Sequence, residues 1–252
     1  MTLITVSCGS SADRRHSRRP AVSAVLALLA LLLTGCGSAS GAGGAEAPAR
    51  PGEQLRQTIG NGLLESGKRE EARIVRLDGT RLIPVDAPVL RSWKIYRVDH
   101  RQGPHPALLH VALGHGRVEL LTGAPDAFGK VMAADGGTVE DTATAVALAR
   151  VYVETTRPGG ILTYVVGRVE DIRFRPGITG DDARHRDEIV AEYGPRIKAP
   201  VAVANGKKGF TATVFVVRDE ALRRHDLKVS PKGAIEDEVK TLVPDLPVPY
   251  TF

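Results

Sequence analysis

Residues 199–243 read APVAVANGKKGFTATVFVVRDEALRRHDLKVSPKGAIEDEVKTLV, and the fold turns on how they are read. Apolar and β-branched residues gather in four runs, 199–205, 209–218, 222–230 and 234–243. Asn205-Gly206 and Pro231-Lys232-Gly233 supply turns between them. Short runs rich in Val, Thr and Phe, bounded by such residues, are strands joined by tight connections. The stretch therefore predicts a four-stranded antiparallel meander.

Working towards the N-terminus, residues 181–193 predict a helix capped by Thr179 and Asp182 and closed by Gly194-Pro195. Residues 161–175 predict one long strand. Val165 and Val169 share a face there, but Ile172 and Phe174 have the opposite parity, so a β-bulge is expected near Glu170-Asp171. Residues 139–156 carry the clearest helical pattern. Val139, Ala143, Val146, Ala147 and Val151 form a stripe, Thr138 and Asp141 a variant capping box, and Pro158-Gly159-Gly160 a stop.

The first half is richer in strands. Leu55, Ile59 and Leu63 predict a short helix over 53–66, weakened by Gly60 and Gly62. Asp78-Gly79 between ARIVRL (72–77) and TRLIPV (80–85) predicts a hairpin. Strands follow at 92–99, 107–113 and 117–122, then a helix at 125–134 ended by Asp135-Gly136-Gly137. The tail, 244–252, holds three prolines and is expected to run extended over the surface. The fold class is α+β: antiparallel sheet, a C-terminal four-stranded meander and two main helices. Over 138–243 the order of elements is similar to that of the cystatin-like and NTF2-like folds, without a sequence motif. The β-rich part (53–137) and the α+β part (138–252) stand as two domains or join as one. LLHVALGHGRVELLT (108–122) and DLKVSPKGAIEDEVKTL (226–242) echo each other as strand, glycine turn, strand; a duplication and two generic hairpins would look alike.

The N-terminus is an address. Arg14-Arg15-His16-Ser17-Arg18-Arg19 precedes the thirteen-residue run AVSAVLALLALLL (21–33), then small residues. That order is a secretory signal peptide, spanning 1–35, and the run is too short for a stable membrane span. Leu33-Thr34-Gly35-Cys36 resembles the lipobox of bacterial lipoproteins. The resemblance implies cleavage before Cys36, acylation of its thiol (diacylglycerol, with palmitate among the chains) and attachment to the extracytoplasmic face of the cell membrane. One acyl chain holds a protein marginally, whereas two or more hold it stably. GSASGAGGAEAPARPG (37–52) then reads as a flexible tether, with a mean span of roughly 20–24 Å by flexible-chain scaling.

Composition narrows the function. The 252-residue chain carries a formal charge of +5, but the signal segment holds four arginines and one acid. The remaining 217 residues carry 30 basic against 28 acidic side chains, a balance of +2. Aromatics are 4% and Trp93 is the sole tryptophan. Concentrated positive charge and stacking rings are what nucleic-acid surfaces need, so no nucleic-acid partner is expected. Cys8 leaves with the signal and Cys36 carries lipid. The folded part then has no thiol, which excludes disulfides, cysteine-ligated zinc and a cysteine nucleophile.

No catalytic motif stands out. Ser66, Ser92 and Ser230 lie in no nucleophile signature, and 123–130 is one residue too long for a phosphate loop. His100, His105, His110 and His115 recur every five residues, a spacing that alternates faces on a strand. If 92–99 and 107–113 pair, His100, His110 and Glu119 become candidates for a metal site or an enzyme's acid–base group. Adjacent His225 and Asp226 point to opposite faces of their strand and cannot couple. Arg173 and Arg175, beside Arg223-Arg224, would make a cationic patch for an acidic wall polymer or lipid headgroup if their strands are neighbours. The expectation is a membrane-anchored extracytoplasmic lipoprotein, a non-catalytic binding or interaction module without a cofactor. Its partner would be a protein, a small apolar ligand or an envelope component. The alternative is a metal-binding protein or enzyme built on His100, His110 and Glu119.

Overall fold

The computed structural model describes residues 51–102 and 106–249. The signal segment, Cys36, the tether up to Arg50, and His105 lie outside the described residues. The fold is α+β, with nine strands in two antiparallel sheets and five α-helices among the described residues.

Helix α1 (Pro51–Glu65) matches the expected first helix; Ile59 and Leu63 are fully buried. Next comes a departure from expectation. ARIVRL belongs to a second helix, α2 (Arg69–Arg76), not to the first arm of a hairpin. Glu70 and Glu71 in its first turn and Arg73 and Arg76 in its last complement the helix dipole. Ala72 and Val75, three apart, make the buried side. Strands β1 (Arg81–Val85), β2 (Trp93–His100), β3 (Ala107–Gly114) and β4 (Arg117–Leu120) then form the first sheet in sequence order. At its tightest point Trp93 lies opposite Gly114, and a Cβ at Gly114 would sit 2.4 Å from the indole.

Pro125 opens helix α3 (Pro125–Asp135) and left-handed Gly136 ends it. Helix α4 (Thr142–Thr155) begins later than the sequence suggested: the side chain of Asp141, not Thr138, caps it by accepting from the Thr144 N–H at 2.7 Å. The buried side moves accordingly to Ala145, Leu148, Ala149 and Tyr152, while Ala143 is exposed.

The expected long strand over 161–175 stops early. Strand β5 (Thr163–Val166) gives way to a 3₁₀ turn at Val169–Asp171. There Asp171 Oδ2 accepts from the N–H groups of Gly167 (2.8 Å) and Arg168 (3.1 Å). The parity break is thus a turn that leaves the sheet, not a bulge. Helix α5 (Gly180–Tyr193) follows, then the meander as expected: β6 (Val201–Ala204), β7 (Phe210–Arg218), β8 (Ala221–Val229) and β9 (Ile235–Val243). Strand β5 pairs with residues 215–218 of β7 and β6 with residues 210–213, along the edge that β8 leaves open. The echoing segments are the β3–β4 and β8–β9 hairpins.

Three apolar clusters hold these pieces. The first joins the inner faces of both sheets (Trp93, Ile95, Ala112; Val214, Val216, Leu227) to α3 and α4. The β-rich and α+β parts therefore share one core. The second, on the outer face of the second sheet, takes in Ile189 and Tyr193 of α5 and also Leu246 and Val248. The tail is thus not a surface strand. Leu246 is 1% and Val248 0% exposed, and Leu246 N donates to Glu220 O and Arg175 N to Pro247 O. The third cluster packs α1 and α2 on the outer face of the first sheet. Each fully buried side chain of Leu or Ile size contributes about 1.5–3 kcal/mol.

Candidate functional site

The expected β2–β3 hairpin forms, and its register decides the fate of the histidines. Ala107, not His110, lies opposite His100; Arg97 lies opposite His110. Strand alternation puts Arg97 and His110 on the inner face with Trp93, Ile95 and Ala112, and His100 on the outer face with Tyr96 and Val98. His100 Nδ1 is 3.0 Å from Thr80 Oγ1. Glu119, opposite Ala112, pairs with Arg117 at 3.3 Å. His100 and His110 therefore do not share a site with Glu119, and among the described residues no three His, Cys, Asp or Glu side chains form a metal-binding group. His115 stands edge-on to Trp93 with its Nε2 2.9 Å from Ser92 Oγ.

The anticipated cationic patch does not assemble as expected either. Residues 173–175 are not in a strand; Arg173 lies over the Tyr164 ring and Arg175 pairs with Asp182 at 2.8 Å. Arg224 pairs with Asp226 on the outer face. Its neighbour Arg223 points the other way, into a different group.

That group sits where the two sheets and the end of α4 converge. The first sheet supplies Arg97 and His110 on its inner face. The second supplies Arg218, Arg223 and His225, on the face of Val214 and Val216, which packs on α4. Arg157, just past α4 and 6% exposed, links the two. Its carbonyl accepts from Gly123 N at 3.0 Å, next to Thr122, whose hydroxyl oxygen accepts from His110 N at 2.7 Å. Its Nη1 donates to Ile161 O at 3.1 Å, two residues before Thr163, the partner of Arg218. Eight buried side-chain nitrogens among the described residues lack a hydrogen-bond partner, and five are here: Arg97 Nε, His110 Nδ1, Arg218 Nε, Arg223 Nε and His225 Nε2. Such orphaned polar atoms are costly in an interior and call for an explanation.

Electrostatics agree with the geometry. Burial, with the charges of Arg157 and Arg97, pushes His110 down to about 3, so its ring is neutral at physiological pH. Burial and the nearness of Arg97 and Arg218 lower Arg157, against some help from Glu154. Burial and Arg223 lower Arg218, opposed by Asp237 and Tyr152. Burial and Asp237 raise Tyr152 to about 12 despite Arg218. The nearby acids are already engaged. Burial tends to raise Asp99, but Arg101, Arg81 and Arg97 outweigh it and hold Asp99 below the ordinary carboxylate value. Asp237 binds His225, and Glu154 binds Arg150. Among the described residues neither Arg218 nor Arg223 has a carboxylate at ion-pair distance.

Two shallow depressions lie elsewhere, one of about 510 Å³ beside Pro84, Leu90 and Trp93, the other of about 370 Å³ between Trp93, Glu119 and Lys130. Neither opens inside the meander. The cationic convergence was out of reach of sequence reasoning. Its members stand at 97, 110, 157, 218, 223 and 225, and only strand register places them together. No family model, no curated protein and no solved structure matches this chain.

Proposed function

We propose that this protein is a lipid-anchored, extracytoplasmic binding module without catalytic activity of its own, and that the cationic convergence of the two sheets is where it meets its ligand. The anchor rests on the thirteen-residue apolar run and Leu33-Thr34-Gly35-Cys36. The binding reading rests on one observation: five of eight orphaned buried nitrogens fall in one place, built from both sheets. A core that served packing alone gains nothing from gathering buried side-chain nitrogens that lack partners. Expressed in a bacterium, the wild-type protein is expected in the membrane fraction and to take up labelled palmitate at Cys36. Cys36→Ala is expected to leave an unprocessed precursor or release protein to the medium. Unchanged membrane retention and normal cleavage in Cys36→Ala would overturn the anchor.

A further inference from the structure

We infer that Arg97, Arg157, Arg218 and Arg223 form a binding site for a compact oxyanion of two or more negative charges, either a phosphate group or a polycarboxylate. This deepens the proposed binding function and rests on it. Planar guanidinium groups present paired N–H donors that match the oxygens of both ligand types. The four come from three structural sources, β2, the segment after α4, and the β7–β8 hairpin, so an oxyanion among them would tie both sheets together. Arg97, Arg218 and Arg223 are half-buried, while Arg157 is buried. His110, on the same inner face as Arg97, adds a neutral ring nitrogen without a partner. His225, two residues along the same face from Arg223, has its Nδ1 held by Asp237 and its Nε2 without a partner. The charges around the site are Asp99 on the side of Arg97, Asp237 on the side of Arg218, and Glu154 near Arg157. Asp99 is shared by Arg81, Arg101 and, at 3.8 Å, Arg97 itself; Asp237 holds His225, and Glu154 is bound by Arg150. Unliganded, the cluster bears like charges in a poorly hydrated place. An entering oxyanion removes that repulsion and binds only the folded chain.

The test is thermal unfolding of the full chain in detergent, with millimolar inorganic phosphate, citrate, or sodium chloride at matched ionic strength. Phosphate or citrate is expected to raise the midpoint by about 5–10 °C at a concentration a hundredfold above its dissociation constant. Chloride should do little. The anion that acts identifies phosphate or carboxylate as the natural group. Arg218→Gln and Arg223→Gln should each abolish most of the shift while leaving the unliganded midpoint unchanged or higher. Arg224→Gln, on the opposite face, should keep the shift in full. Arg218→Lys, which retains charge but loses the planar fork, should keep a reduced shift. The inference is overturned if neither anion exceeds chloride, or if the Gln variants at 218 and 223 respond like wild type. Solution binding of this kind does not depend on Cys36, so failure here leaves the anchor standing, and loss of the anchor leaves this result intact.

Discussion

His225 Nδ1 lies 2.9 Å from Asp237 Oδ2, across the β8–β9 pair, while the adjacent Asp226 faces the other way and binds Arg224 and Thr213. His225 is 1% exposed, so its Nδ1 has no water to fall back on. Asp237→Ala should cost about 1–3 kcal/mol, the usual penalty for orphaning a buried polar group. Asp237→Asn should recover much of it, because the amide oxygen still accepts from Nδ1–H. Urea unfolding compares the two; equal loss in both variants would mean that the carboxylate charge, not the acceptor, is what His225 needs.

The carboxylate of Asp135 ties α3 to the start of β2. It accepts from the backbone N–H groups of Arg91 (2.9 Å), Ser92 (2.7 Å) and Trp93 (3.1 Å) and from the Ser92 hydroxyl (2.8 Å). Burial tends to raise its pKa, but these donors outweigh burial and hold it below 3.8. Asp135→Ala should destabilise by about 3 kcal/mol, since several donors lose a charged acceptor at once. Its contribution is fully present above pH 3.8 and should vanish only on further acidification. A chemical-denaturation midpoint for Asp135→Ala within error of wild type at neutral pH would contradict this knot.

His110 gives the fold an acid sensitivity of its own. Its pKa is about 3 folded against 6.5 for a free histidine. Between those values the unfolded chain takes up a proton that the folded chain refuses. Stability therefore falls as pH drops below 6.5 and this loss levels off near 3, amounting to about 2 kcal/mol by pH 5. The charges that face His110 in this respect are those of Arg157 and Arg97. In His110→Asn, the decline between pH 6.5 and pH 5 should shrink by that amount. Parallel pH profiles for the two proteins would show that His110 protonates freely in the fold.

Leu246 is 1% exposed in the second cluster, with Val166, Leu222 and Val243. Leu246→Ala should cost about 2–5 kcal/mol, as for any leucine removed from a packed interior. Substituting the exposed Lys240 should change stability by less than about 0.5 kcal/mol. A tail lying loosely on the surface would make the two substitutions equivalent in a thermal melt.

Much of the chain was legible because its turns announce themselves. Strands β2, β3 and the meander end within two residues of expectation, where Asn205-Gly206 and Pro231-Lys232-Gly233 force a reversal. ARIVRL misled because six residues with Ile and Val suit either a strand or a helix. Glu70 and Glu71 just before it settle the matter, because they place negative charge in the first turn of a helix whose last turn carries Arg73 and Arg76. Strand β5 looked long because Val169 and Ile172 are apolar, yet they are buried from a 3₁₀ turn that a single carboxylate, Asp171, stabilises. The site was the least legible part. Arg97 opposite His110 is a matter of register, and Arg157 reaches them through backbone contacts to Gly123 and Ile161 that no local pattern encodes.

The strap made by Leu246 and Val248 has a consequence for the life of the molecule. Its cluster begins at Val166, some eighty positions earlier, and is not covered until the strap docks. A product clipped ahead of Leu246 leaves Val166, Leu222 and Val243 open to water. Greasy surfaces of that kind are what chaperones hold and proteases recognise. The C-terminal strap thus closes the second cluster, and its loss exposes an apolar surface that the rest of the fold does not cover.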